Sequence, residues 1–327
     1  MSTLQKTGSF FLLLCTFLSL MSCNTDNGGV EPASGTIAEI VANSPNLSML
    51  QSALVRTGLD ADLDASGSMT LLAPTNTAFT LYLANSNLIS INDIPVPDLR
   101  QLLLNHVLGA RVDATLLRTL GKNYTETLAD GPAANTNLAL FFNATGQNII
   151  FNGNAIVEDA DIPATNGLVH IVDNVIDLPT LYTFVQSNDA FSELNTALTT
   201  ATPGTNFMNT LSGSTTLTLF APSNQAIDDW LDTNSAWTTV IDIEEGYLTA
   251  VLQHHLINGN VRSSDITNGE TATSLEGDLL TFSTANGGVD ITDGSGNTGI
   301  SVVVGDIQAT NGVLHAVEKV LLPDTSN

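Results

Sequence analysis

Residues 161–176, DIPATNGLVHIVDNVI, return at residues 306–321 as DIQATNGVLHAVEKVL, with nine of sixteen positions identical. In each, an Asn-Gly pair (Asn166-Gly167 and Asn311-Gly312) leads into an aliphatic, β-branched run with one histidine inside it, His170 or His315. Asn-Gly marks a tight turn, and the run after it has the composition of a buried strand. A segment that recurs after 145 residues in a chain of 327 predicts two copies of one structural unit.

Reading outward from this segment, three more blocks recur in the same order. Leu99, Leu102, Leu103, His106 and Val107 have counterparts in Leu248, Val251, Leu252, His255 and Leu256. Their spacing predicts an amphipathic helix whose buried stripe includes the histidine. Further upstream, MTLLAPTNTAF (residues 69–79) matches LTLFAPSNQAI (residues 217–227). Each reads as a short strand ending at Pro74 or Pro222, followed by a Thr/Ser-Asn pair (with Asn76 or Asn224) able to cap a helix. The first block pairs residues 36–54 with 180–198, where apolar residues fall on one helical face. Alternating apolar segments with Gly and Asn turns, over residues 138–156 and 279–304, predict antiparallel strands. The expected class is α+β, with helices first and a strand-rich second half in each copy.

These blocks resemble the fasciclin domain. Ala73-Pro74-Thr75-Asn76 and Ala221-Pro222-Ser223-Asn224 are similar to one signature segment of that family, and the two Asn-Gly segments running into His170 and His315 to the other. The resemblance implies two tandem domains, residues 36–179 and 180–323, followed by a short tail, 324–327. Each would be a β-wedge of two packed sheets with several flanking helices. The twelve motif residues Pro74, Asn76, His106, Asn166, Gly167, His170, Pro222, Asn224, His255, Asn311, Gly312 and His315 are expected to be structural.

The N-terminus lies outside the repeat. Lys6 followed by an apolar run over residues 10–20 reads as a signal peptide, too short to span a bilayer. The run ends in Leu20-Met21-Ser22-Cys23, which is similar to the lipobox of bacterial lipoproteins, Met21 being a departure. That resemblance implies removal of residues 1–22 and attachment of lipid to Cys23; the other reading is an ordinary secreted protein with Cys23 incidental. Cys15 lies within the discarded run, so Cys23 would be the sole remaining thiol and no intrachain disulfide could form. Residues 23–35, rich in Gly and Asn, read as the lipidated end and a flexible tether. The expected location is the bacterial cell envelope, at the outer membrane or cell surface, held to the membrane by lipid alone.

Hydrophobic residues make up 43% of the chain, enough for two cores, while 33 Asp and Glu against 8 Lys and Arg give a net charge of −25. Such a surface repels phosphate backbones, so nucleic acid is not an expected partner. It also repels anionic lipid faces. The paired histidines occupy apolar stripes without consistent acid, base or ligand partners, and read as buried residues bonded to backbone. His254 is rotated off that stripe and is expected to be exposed. Asp60, Asp62 and Asp64 resemble the opening of a calcium loop, but Ala65 and Leu71 stand where a turn glycine and a bidentate Glu belong. No metal, cofactor or catalytic residue is expected, because no nucleophile elbow, phosphate loop or Cys/His cluster is present.

A lipid anchor, a tether and tandem domains without assembled chemistry point to a non-enzymatic adhesion or matrix-interaction module. Its partner would be an envelope protein or an extracellular polysaccharide. The family resemblance also implies cell adhesion and matrix contact. Animal members carry a Tyr-His pair tied to integrin binding in the third block; Asn105-His106 and His254-His255 stand there here, so integrin recognition is not implied. The alternative is an envelope binding protein for a small apolar or glycan ligand held in a groove between domains or sheets. Trp230, Trp237 and His254 are the candidate contact residues, helix-face packing being the competing reading of the tryptophans. A hydrolase is the remote third reading.

Overall fold

A computed structural model of the chain describes residues 33–285 and 287–324. The expected signal peptide, Cys23, the expected tether up to residue 32 and the end of the tail lie outside the described residues. In the first repeat, α1 (Ile37–Ala42), α2 (Ser48–Thr57) and α3 (Leu59–Asp64) precede β1 (Met69–Pro74), α4 (Asn76–Asn85), α5 (Val96–Leu104), β2 (Val107–Leu108) and α6 (Ala114–Leu120). The strands β3 (Lys122–Asp130), β4 (Asn137–Asn143), β5 (Ile150–Phe151), β6 (Ala155–Ala164) and β7 (Gly167–Val172) close the repeat. The second repeat begins with α7 (Leu181–Ser187), α8 (Ser192–Thr196), α9 (Phe207–Ser212), β8 (Leu217–Pro222), α10 (Asn224–Leu231) and α11 (Glu245–His254). It ends with β9 (Leu256–Asn258), β10 (Thr271–Thr273), β11 (Leu279–Ser283), β12 (Asp290–Thr292), β13 (Ile300–Ala309) and β14 (Gly312–Val317).

Local chemistry sets these boundaries. Thr36 and Thr180 cap α1 and α7, and the hydroxyls of Thr75 and Ser223 accept the Ala78 and Ala226 N–H groups, each at 3.2 Å. The third block departs from its expected form. α5 stops at Leu104 and α11 at His254, so His106 and His255 stand at the helix ends, where the chain turns into β2 and β9. Asp60, Asp62 and Asp64 lie on α3 rather than in a loop.

Each repeat forms one seven-stranded sheet, in the order β2-β1-β7-β6-β5-β4-β3 and, equivalently, β9-β8-β14-β13-β12-β11-β10. β1 runs parallel to β7, and β8 to β14; the other pairings are antiparallel. β6 and β13 join the two halves of each sheet and carry register shifts, near residues 157–162 and 302–307, where bulges bend a strand. The halves therefore face one another across an apolar core: Leu72 and Leu108 meet Leu140, Phe142 and Phe151 in the first domain, and Phe220 and Ile257 meet Leu280 and Phe282 in the second. The expected wedge of two packed sheets is this single bent ladder. The opposite face of β1 and β7 (Leu71, Ala73, Val169, Ile171) packs on the helices.

The two domains share an interface. The outward face of β4, with Ala139 and Phe141, is buried in the core shared by the helices and sheet of the second domain, with β13 against β4. Tyr124 packs on Phe141 at 5.2 Å and edge-on to Phe184 of α7 at 5.5 Å. Its hydroxyl accepts the Asn188 amide at 3.0 Å, and burial pushes the phenol up to about 12. In the second domain the registers of β10 and β11 put Thr271 and Thr281 where the first has Tyr124 and Phe141. The apolar docking pair is thus confined to the first copy.

Candidate functional site

The repeated histidines are clamps on the backbone. His106 Nδ1–H donates to the Leu102 carbonyl at 2.7 Å and Nε2 accepts the Ile176 N–H at 2.9 Å. His255 does the same with the Val251 carbonyl at 2.8 Å and the Leu321 N–H at 2.9 Å. Each ring ties the end of a helix to the last segment of its own domain. His170 and His315 use the opposite tautomer. Their Nε2–H groups donate to the carbonyls of Val112 and Val261, at 2.8 and 2.9 Å, and their Nδ1 atoms accept the N–H groups of Asp161 and Asp306, at 3.1 and 3.2 Å. All four rings are 0–1% exposed and have both nitrogens engaged as the neutral form requires.

The asparagines act likewise. Asn166 Oδ1 accepts the Ile37 N–H at 2.9 Å, while Nδ2 donates to the carbonyls of Leu63 and Ala65, at 2.7 and 2.8 Å. Asn311 repeats this with Leu181, Leu211 and Gly213. Asn76 and Asn224 bind the turns that open α2 and α8, accepting the Met49 and Glu193 N–H groups. Two further pairs belong to the same framework. Asp161 and Asp306 adopt left-handed backbone, at φ 62° and 61°, and their carboxylates accept the N–H groups of Ala114 and Ser263. Thr70 and Thr218 bridge β1 and β8 to the loops after β2 and β9. Identity in both copies was the sequence signal for these four; only their place in the fold gives it meaning.

Burial holds the His106 imidazole down at about 4 and that of His255 at about 3, against an ordinary 6.5. The unfolded chain therefore binds more protons than the folded one below about pH 6.5, and stability is lost as pH falls toward those values. Each histidine removes on the order of 2–3 kcal/mol by pH 4.5. Urea unfolding is expected to show a midpoint that is flat with respect to these groups above pH 7 and falls between pH 6.5 and 4. A constant midpoint over that window would contradict the buried-neutral reading.

Of the three candidate contact residues, His254 is placed differently from expectation, while the tryptophans follow the packing reading in different degrees. His254 is not exposed: it is 0% accessible, because the chain of residues 274–278 and the loop after β12 close over it. Nε2 accepts the Gly294 N–H at 3.0 Å, which fixes the proton on Nδ1, directed at Ser274 Oγ (3.2 Å) and Glu276 Oε2 (3.3 Å). Glu276 and Asp278 lie close enough to share a cation with the ring, but a metal at Nδ1 would have to displace that proton, and the Gly294 N–H blocks its transfer to Nε2. Burial lowers the basicity of His254 although Glu276 opposes the effect. Trp230 is also buried, at 8% exposure, as helix-face packing requires. Trp237 is half-buried; it packs on Trp230 at 5.5 Å and stacks on Tyr247 at 6.3 Å. Only its outer face is open for contact.

The Fasciclin domain family model matches residues 45–179 and again residues 184–323. The chain belongs to the fasciclin family. Its tandem fasciclin domains are similar to transforming growth factor-beta-induced protein ig-h3 of the rabbit, Oryctolagus cuniculus, with 28% identity over 256 residues, covering 77% of this chain and 33% of that protein. Human periostin is 26% identical over 275 residues, covering 82% of this chain and 30% of periostin. The chain thus spans about a third of the length of these relatives. A solved fasciclin domain pair from the insect cell adhesion molecule Fasciclin I shares the fold at a TM-score of 0.55 and 20% identity, covering 85% of this chain and 97% of that one. The clamps described above are the framework of each fasciclin domain here.

Proposed function

We propose that this protein is a non-catalytic adhesion or matrix-interaction module, anchored by lipid at Cys23 to a bacterial cell envelope. One observation carries the reading: the polar residues that repeat in both fasciclin domains are consumed by backbone clamps, with both ring nitrogens of every histidine pair occupied. What the domains offer outward is surface. The fold shared with a domain pair from a cell adhesion molecule supports the same use. Among the described residues no helix is long and apolar enough to cross a membrane; acyl chains on Cys23 are the attachment proposed here.

Deleting the gene is expected to weaken surface attachment or biofilm cohesion and leave turnover of soluble substrates unchanged. Wild-type attachment in the deletion strain would count against adhesion. Cys23→Ala is expected to move the protein from the membrane to the soluble fraction; retention of the variant in washed membranes would sink the lipid anchor and leave the adhesion reading standing.

A further inference from the structure

His254 has no histidine counterpart in the first domain. Asn105 stands at its place, and the Asn105 amide donates to the carbonyls of Ile176 and Asp177, each at 3.1 Å. The second domain thus carries a titratable ring where the first carries a neutral amide. The four paired histidines have both nitrogens on backbone, whereas His254 meets side chains at one edge and backbone at the other. Its Nδ1–H is directed at Ser274 and Glu276, on the segment between β10 and β11. Its Nε2 accepts the Gly294 N–H from the loop after β12.

That loop also grips the chain beyond β14. The Asp293 carboxylate, 4% exposed, accepts the Leu322 N–H at 3.0 Å as well as the Asn297 N–H at 2.8 Å. Ser295 donates its N–H to the Leu322 carbonyl at 3.0 Å and its hydroxyl to the Pro323 carbonyl at 2.7 Å. Asp278 accepts the Asp324 N–H at 2.6 Å. Gly294 lies at the centre of this arrangement. A Cβ there would be 2.9 Å from the Asp324 nitrogen, 3.0 Å from an Asp278 carboxylate oxygen and 3.1 Å from the His254 ring. The loop therefore couples the ring to residues 322–324.

The Gly294 contact requires a neutral ring. Protonated histidine carries N–H on both nitrogens, so Nε2–H would face the Gly294 N–H, donor against donor. Nδ1–H keeps Glu276 at 3.3 Å in either state. A proton thus strengthens one edge of the ring and repels the other. Burial lowers the basicity of His254 in the closed form, and Glu276, Asp293 and Asp278 oppose it. The other titratable neighbours are Asp324 on the gripped segment and His255 on α11; burial holds His255 at about 3, so it stays neutral where His254 titrates. Opening the loop relieves the burial and leaves Glu276 beside the ring, so the open form binds the proton more tightly. The closed form is therefore favoured at neutral pH and loses its advantage as pH falls below about 6.5.

We propose that His254 is a pH-sensitive latch: its protonation drives off the Gly294 N–H, opens the loop after β12 and releases residues 322–324. The latch is confined to the second domain and does not depend on the adhesion reading.

The test is amide hydrogen exchange of the purified full chain at pH 7, 6 and 5, read as protection factors. Those of Gly294, Ser295, Leu322 and Asp324 are expected to fall at least about tenfold from pH 7 to 5. That of Ile176 should hold, because its clamp, His106, is kept neutral down to about 4. His254→Asn, which places the first domain's residue there, should abolish the pH dependence. Glu276→Gln keeps the ring and removes its acid; it should move the loss of protection at least about half a pH unit lower. Constant protection of the four amides overturns the latch, and so does an equal loss at Ile176, which would report general acid destabilisation. Wild-type pH dependence in either variant overturns it as well.

Discussion

Gly312→Ala is expected to destabilise the second domain by about 3–5 kcal/mol, a large part of the margin of an ordinary domain. Gly312 opens β14 opposite Leu217 of the parallel strand β8. A Cβ there would lie 1.8 Å from the Leu217 carbonyl oxygen and 2.8 Å from its carbon, with φ at 146°. The obstacle is backbone in the middle of a sheet, so no rotamer change relieves it. Gly167 stands in the same relation to Met69, whose oxygen would be 2.0 Å away, and its alanine variant should fail alike in the first domain. Gly58→Ala is the internal control. Gly58 also has positive φ, at 71°, but nothing lies within 4 Å of a Cβ there. Its expected cost is about 1 kcal/mol, that of conformation alone. Urea unfolding of the three variants separates the effects. Equal losses at Gly58 and Gly312 would refute the close-approach argument.

Asn311→Ala is expected to cost about 3–4 kcal/mol. The side chain accepts the Leu181 N–H at 2.9 Å and donates to the Leu211 and Gly213 carbonyls at 2.8 and 2.9 Å. It thereby joins the start of α7, the end of α9 and the turn into β14. Alanine leaves one donor and two acceptors unpaired, each worth about 1–3 kcal/mol, with neighbouring losses not fully additive. Asn311→Asp gives a sharper test. It keeps the acceptor but sets a carboxylate against two carbonyl oxygens, which raises its folded pKa above the unfolded one. Its stability contribution is therefore present at low pH and lost as pH rises. Compared with wild type, this variant should recover stability between pH 7 and 5, opposite to the trend set by His106 and His255. A parallel pH profile for the two proteins would show that Asn311 is not the clamp described.

Much of this fold was legible in the sequence because it is written twice. Matched apolar positions such as Leu99 and Leu248, or Leu71 and Leu219, mark the same buried face in both copies. The Asn-Gly turns and the Thr75 and Ser223 caps are local devices whose geometry follows from residue type. The framework role of the histidine pairs could be argued from their apolar surroundings alone. What each ring holds could not, because His106 meets Ile176 and His255 meets Leu321 across 70 and 66 residues of chain.

His254 shows where local reasoning stops. Its helical angle placed it off the buried stripe, and on an isolated helix it would face water. The chain of residues 274–278 and the loop carrying Gly294 cover it in the folded domain, and no periodicity within α11 encodes them. Trp230 and β4 follow the same logic. Ala139 and Phe141 read as one face of a strand, but only the next domain, whose β13 meets β4, makes that face a core. The sequence by itself determined the class, the two copies, their turns and caps and the residues facing inward, since these rest on contacts within a few residues. Tertiary structure alone decided the bent sheet, the partners of each clamp and the cover over His254, because hydrogen bonds and burial between distant segments exist only once the chain has brought them together.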